Sequence, residues 1–239
     1  MEENIKNNWN AIYDRAKKAA EACNRNFDEI LVLAVSKTHP LSAVLTGMDC
    51  GIKEFGENYA QELKDKHQLL TDKGLTQPVW HFIGHLQTNK VKYIAPFVSM
   101  IHSVDSLKLA EEISRQAGLH NRTIDILLQV NTSGEDSKSG CAPAEIFDLA
   151  QGALEIPNIR VRGLMTIGSF SEDKNVSIRE FSLLRSLRDE LHTRFPQADF
   201  RHLSMGMTHD FETAIAQGAT IVRVGTAIFG ARDYSKKND

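Results

Sequence analysis

Cysteine is scarce in this chain. Cys23, Cys50 and Cys141 are the only three in 239 residues, far apart and odd in number. None forms a C-x-x-C pair, which excludes a disulfide framework and a zinc knuckle and leaves reduced, buried thiols as the expectation. An excess of either charge is lacking too. The 28 Lys and Arg set against 31 Asp and Glu leave a net charge of −3, so there is no bulk drive toward nucleic acid or an anionic membrane. No apolar run approaches the ~20 residues of a membrane span. The N-terminus, MEENIKNNWN, is polar and lacks the apolar core of a signal peptide. The expected compartment is the cytoplasm. Linkers, low-complexity tracts and charge blocks are missing as well, so one domain is expected over 1–239, with an N-terminal helix over 1–22 and a frayed tail over 234–239.

What the sequence does have is alternation. Apolar residues at Ile5, Trp9, Ile12, Ala16, Ala19 and Ala20 have helical spacing. After them, eight short strand-like segments alternate with amphipathic ones: ILVLAV, KEFGEN (a weak one, with Phe55 its one large apolar residue), VWHFIG, SMIHSVD, TIDILLQVN, IRVRGLMTIG, FRHLSMG and TIVRVG. The intervening helices are expected at Leu41–Met48, Tyr59–Leu70, Thr88–Ile94, Ser106–Ala117, Pro143–Ala153, Val176–Phe195 and Thr208–Gln217, with Ser106 as an N-cap and Pro143 in a first turn. Strands that alternate with helices form parallel βαβ units. Strands apolar at nearly every position are covered on both faces. Eight units in a chain of this length fit a single (β/α)₈ barrel of roughly 250 residues. An open doubly wound sheet is the alternative.

Barrel active sites gather at the C-terminal ends of the strands. The first apolar run ends in Ser36 and Lys37 before Pro40, and Leu31, Leu33, Val35 and Lys37 share one strand face. If that face points inward, an amine enters the barrel mouth, where it loses hydration and becomes a nucleophile toward an aldehyde. The competing reading is a lysine that snorkels to solvent. The segments after strands seven and eight, SMGMTHD and RVGTAIFG, lie where barrels commonly hold phosphate. There Gly206 and Gly225 allow close backbone approach, Ser204 and Thr226 add hydroxyls, and a helix starting near Thr208 aims its N–H groups at the same place. Arg223, in an otherwise apolar strand, needs an acceptor: either a structural carboxylate or a ligand atom. Together these features suit an aldehyde that carries a phosphate. Pyridoxal 5′-phosphate and a phosphosugar bound by a class I aldolase both fit.

The chain resembles the pyridoxal-phosphate homeostasis proteins, and more distantly the N-terminal barrel domain of alanine racemases. The matching segments are LVLAVSKTHP, FGENYAQE, WHFIGHLQTNKVK, IHSVDS, QVNTSGEDSKSG, VRGLMTIG, LSMGMTHDFETAI and GATIVRVGTAIFGAR, in order over nearly the whole chain. The resemblance implies a barrel of the alanine-racemase type. It implies that Lys37 carries pyridoxal 5′-phosphate as an internal aldimine, that Ser204, Gly206, Gly225 and Thr226 surround its phosphate, and that Arg223 faces the pyridine nitrogen. Asn58 and Met165 would line the ring, while His81 and Gly84 lie in a matching segment without an assigned role. The implied function is to hold the cofactor and supply it to apo-enzymes, as a monomer.

A permanently cationic Arg223 would leave the pyridine nitrogen unprotonated and weaken the ring as an electron sink. The related racemases place a tyrosine base opposite the lysine from a second domain, and this sequence stops at Asp239, which argues for a carrier over a racemase. A weak amino-acid racemase is the alternative function. His81 and His85 have H-x-x-x-H spacing but straddle a strand end and a glycine, so no metal site is expected. No catalytic role falls to Asp105, Asp125 or Asp136.

Overall fold

In the computed structural model, residues 2–135, 138–171 and 173–231 are described. The tail expected over 234–239, Tyr234 and Asp136 lie outside them. Eight parallel strands close into one barrel in strict chain order. They are β1 (Leu31–Val35), β2 (Glu54–Glu57), β3 (Val79–Phe82), β4 (Met100–Val104), β5 (Ile124–Gln129), β6 (Ile159–Met165), β7 (His202–Ser204) and β8 (Ile221–Val224). Closure comes from β1 pairing with β8, Leu31 opposite Ile221 through Ala34 opposite Val224. The open-sheet alternative is thereby removed.

The helices are α1 (Glu2–Ala22), α2 (Leu41–Asp49), α3 (Ala60–Asp72), α4 (Val91–Ile94), α5 (Leu107–Leu119), α6 (Ile146–Leu154), α7 (Lys174–Arg194), α8 (Phe211–Ala216) and α9 (Thr226–Phe229). Two expected helices open as 3₁₀ turns, Thr88–Lys90 before α4 and Pro143–Glu145 before α6. Ser106 holds the N-cap position of α5 but makes no side-chain capping bond. Among the described residues no helix is long and apolar enough to cross a membrane.

Apolar side chains pack in two layers. The larger lies between strands and helices, with Trp80, Phe55, Phe82, Phe181 and Phe211 fully buried in it. The smaller fills the barrel interior with Leu33, Val35, Ile83, Met100, Leu127, Met165 and Ile221. The two-residue strand period assigns alternate residues to each layer. It places Leu33 and Val35 inside, and Lys37 at the mouth on the same side.

Candidate functional site

The cavity at the C-terminal mouth of the barrel has a volume of about 250 Å³. It is just under the ~300 Å³ at which drug-sized ligand sites begin, so it suits a compact ligand. Lys37, Asn58, Ile83, Arg223, Gly225 and Thr226 line it from β1, β2, β3 and β8. Val35 and His39, on either side of Lys37, Ile167 and Phe170, after β6, and Met207, Thr208 and His209, after β7, complete the wall.

Lys37 follows β1 in a turn whose backbone is held from below. Ser36 is buried and its hydroxyl donates to Glu57 Oε1 at 2.6 Å. Lys66 of α3 donates through Nζ to the Ser36 carbonyl at 2.9 Å, to Glu57 Oε1 at 2.7 Å and to Glu62 Oε1 at 2.8 Å. Glu62 Oε1 in turn accepts the Thr38 N–H at 2.7 Å. Thr38 has φ of +65°, uncommon for a residue with a branched side chain, and the bond from its N–H to Glu62 offsets that strain. The cluster thus grips both neighbours of Lys37. Burial pushes the Glu57 carboxyl up from 4.5 to about 7, outweighing the opposing Lys66 ammonium.

Arg223 is fully buried and makes no ion pair with a carboxylate among the described residues. It donates to Ser204 Oγ at 2.7 Å and to the Thr166 carbonyl at 2.8 Å. Burial lowers its pKa to about 10, with Asp210 opposing the fall through space. It therefore stays cationic at neutral pH, and it lines the cavity with two neutral protein acceptors. Of the two acceptors weighed from sequence, the structural carboxylate is not what the structure supplies.

Not every candidate residue meets the cavity. Lys37, Asn58, Arg223, Gly225 and Thr226 do. Met165 is fully buried in the interior layer beneath. The Ser204 hydroxyl is occupied inside the barrel, between Arg223 and His102. Gly206, at φ of +88°, sits against α8: a Cβ there would come 2.5 Å from the Ala214 Cβ. The helix expected to begin near Thr208 begins at Phe211. Asp210, at φ of −136°, is outside the helical region, and its carboxylate bonds back to the Met207 N–H at 2.6 Å. A short helix absent from the sequence reading, α9, instead opens at the cavity. Its first-turn N–H groups, at Thr226 and Ala227, have no intrahelical acceptor.

Two residues without an assigned role acquire a place. Gly84 lets β3 press on the backbone of Asn58, where a Cβ would lie 2.3 Å from the Asn58 carbonyl oxygen. His81 lies inside the barrel, while His85 is exposed, so the two do not meet. The wall residues His39, Ile83, Ile167, Phe170, Met207 and His209 were not singled out from sequence, and Thr208 was named only as a helix start. For Met207–His209 the signal was present, because they belong to the loop after the seventh apolar run.

The site fits a phosphorylated aromatic aldehyde on its own geometry. An amine, a cationic guanidinium and a glycine-bordered helix start face one small space. Asn58 Oδ1 is buried with no partner among the described residues, an acceptor that a ligand hydroxyl would satisfy. At Gly225 a Cβ would come 3.0 Å from the Val35 carbonyl oxygen, so only glycine keeps this border close to β1.

Comparison with known proteins agrees in sequence and in fold. Residues 2–233 match the model of the alanine racemase N-terminal domain. The pyridoxal phosphate homeostasis protein of Aquifex aeolicus is 45% identical over 223 residues, covering 93% of this chain and 96% of that protein. The protein of the same name from Escherichia coli is 43% identical over 236 residues, covering 98% and 99%. PipY of Synechococcus elongatus, solved with PLP bound, superposes with a TM-score of 0.79 at 35% identity, covering 90% of this chain and 100% of that one. With a family model spanning almost the whole chain and full-length relatives above 40% identity, this chain belongs to the pyridoxal phosphate homeostasis protein family, on the alanine racemase N-terminal domain fold.

Proposed function

We propose that this chain holds pyridoxal 5′-phosphate covalently on Lys37, serves intracellular homeostasis of that cofactor, and supplies it to apo-enzymes. The observation that carries the reading is the convergence of Lys37, Arg223, Gly225 and Thr226 on one cavity. The names of the relatives and the PLP bound in PipY support it. Attachment would exchange the aldehyde C=O for C=N at the neutral Lys37 amine, whose two hydrogens would leave with the oxygen as one water.

The chain's own residues define the rest. Thr226 and the backbone at Gly225 receive the phosphate, as the loop after strand eight does in many barrels. Gly206 acts one layer back, by letting the loop after β7 pack on α8. Asn58 turns its amide to the ring, and Met165 supports the floor from beneath. Arg223 donates to the ring nitrogen and, being cationic, leaves that nitrogen without a proton. When bound, the cofactor supplies an aldehyde and an electron-accepting ring. Beside an arginine that ring suits holding more than carbanion chemistry. The chain acts as a single-domain monomer in this reading.

Borohydride reduction of the cofactor-loaded protein, followed by peptide mapping, tests the attachment. A phosphopyridoxyl group on the peptide containing Lys37 is expected. A protein that stays colourless and unmodified when saturated with pyridoxal 5′-phosphate overturns the reading. Incubation with single L-amino acids in deuterated water checks the carrier role. Exchange of the α-proton at turnover rates of roughly 1–10³ per second would make it an enzyme instead.

A further inference from the structure

A row of polar side chains crosses the barrel interior. Glu54 opens β2 at the N-terminal mouth, and its Oε2 lies 2.8 Å from His81 Nε2 on β3. His81 Nδ1 is 2.9 Å from His102 Nε2 on β4. His102 Nδ1 is 2.9 Å from Ser204 Oγ on β7. Ser204 Oγ accepts from Arg223 on β8 at 2.7 Å, and Arg223 lines the cavity at the opposite mouth. His81, His102, Ser204 and Arg223 are all buried; only the Glu54 side chain reaches solvent, at 33% exposed.

The two ends dictate the direction. A guanidinium only donates and a carboxylate only accepts. Glu54 accepts, so His81 carries a proton on Nε2. With one proton on each ring, the bare His81 Nδ1 takes the His102 Nε2–H, and the bare His102 Nδ1 takes the Ser204 hydroxyl hydrogen, while Ser204 Oγ accepts from Arg223. Every link then holds one hydrogen. A protonated His102 would turn the Ser204 hydroxyl hydrogen out of the chain. The His102 pKa is held well below the ordinary histidine value, chiefly by burial, with the Arg223 guanidinium adding to the fall. Glu54 is held low, chiefly by its hydrogen bond from His81, against the opposing effect of burial.

Elsewhere the interior is filled with Leu33, Ile83, Met100 and Leu127, and apolar filling is the less costly way to build a core. A fully satisfied polar chain in that setting is rigid and specific. We propose that Glu54, His81, His102 and Ser204 are positioning residues, a one-way hydrogen-bond chain that fixes Arg223 at the ring end of the cavity and ties its charge to a carboxylate at the far mouth. The inference rests on the reading of Arg223 as the residue that meets the cofactor ring.

The first test needs neither cofactor nor substitution. Nitrogen NMR of protein labelled at its histidine side chains reads the tautomers directly. The expected pattern is a proton on Nε2 and a bare Nδ1 in both His81 and His102. An Nδ1–H tautomer or an imidazolium in either ring overturns the chain. The second test uses Ser204→Ala and 4′-deoxypyridoxine 5′-phosphate, a probe that lacks the aldehyde and so does not depend on Lys37. Losing one hydrogen bond to a charged group weakens its binding by about tenfold or more. Binding equal to that of the unaltered protein, in a variant with an unchanged circular dichroism spectrum, overturns the positioning role. A Ser204→Ala protein that does not fold leaves the NMR result to decide. If pyridoxal 5′-phosphate fails to load while the tautomers are as stated, the proposed function falls and the chain itself stands.

Discussion

Lys37 sits where it does because of residues that do not touch the cavity. Lys66 is 6% exposed and Glu57 fully buried, and their pairing would be costlier still without the bonds from Ser36 and Glu62, since Glu57 Oε2 has no partner among the described residues. Removing one partner leaves a buried charge uncompensated. Lys66→Ala is therefore expected to lower stability by about 3–5 kcal/mol, measured by denaturant unfolding, and to loosen the turn that presents Lys37. Glu57 adds a pH dependence of known sign. Its carboxyl titrates at about 7 when folded and at the ordinary 4.5 when unfolded. Below both values each state holds the proton and nothing is lost. Between them the folded state binds more protons, so stability falls as pH rises from about 4.5 to 7. Glu57→Gln removes this contribution, and denaturation midpoints at pH 5 and pH 7 should lie closer together than in the unaltered protein. Lys37 and Arg223 were legible in the sequence because a charge next to an apolar run is conspicuous. The Ser204 hydroxyl was not. The two-residue period gives the face it shares, but its partners, His102 and Arg223, come from other strands at separations of 102 and 19 residues.

At the scale of elements, the strands were easier to read than the helix ends. Eight strand-like segments became eight strands, since burial on both faces marks most of them locally, β2 with its single Phe55 least. The start of α8 was obscured because Asp210 spends its carboxylate on the Met207 N–H, a bond that alternation of apolar residues does not reveal. The four-residue α9 is too short to show a period at all. Glycines then decide how closely elements meet around the site. Gly84 lies where β3 touches the backbone after β2, and the nearest atoms to an added Cβ are the Asn58 carbonyl oxygen at 2.3 Å and Cα at 2.7 Å. Backbone yields little, so Gly84→Ala must push the two strand ends apart. The expected cost is about 1–3 kcal/mol in thermal or denaturant unfolding, together with weaker binding of pyridoxal 5′-phosphate in a fluorescence titration as Asn58 leaves the ring.

At the scale of the molecule, the barrel closes where the first strand meets the last, and α1 is bound to that closure. Asn8 Nδ2 donates to the Ile228 carbonyl of α9 at 3.0 Å, Arg15 pairs with Glu212 of α8, and Arg25, just past α1, donates to the carbonyls of Ile215 and Ala219. Ile5, Ile12, Ala16 and Ala20 form the buried face of the helix. The apolar spacing of the first 22 residues revealed this face, though not that it lies against the helices next to the loops after β7 and β8, because sequence spacing says nothing of the partner. The arrangement makes α1 part of the same cooperative unit as the site. Ile12→Ala removes a side chain only 3% exposed and should cost about 2–5 kcal/mol, the range for such truncations. Because α9 borders the cavity and α8 follows the loop that lines it, the loss should not be confined to the helix. Unfolding of the cofactor-loaded variant, followed by far-ultraviolet circular dichroism and by the visible absorption of the bound cofactor, should give one shared midpoint, shifted down from that of the unaltered protein. If the dichroism midpoint moves while the visible band keeps its original midpoint, α1 is an appendage and the closure of the barrel does not depend on it.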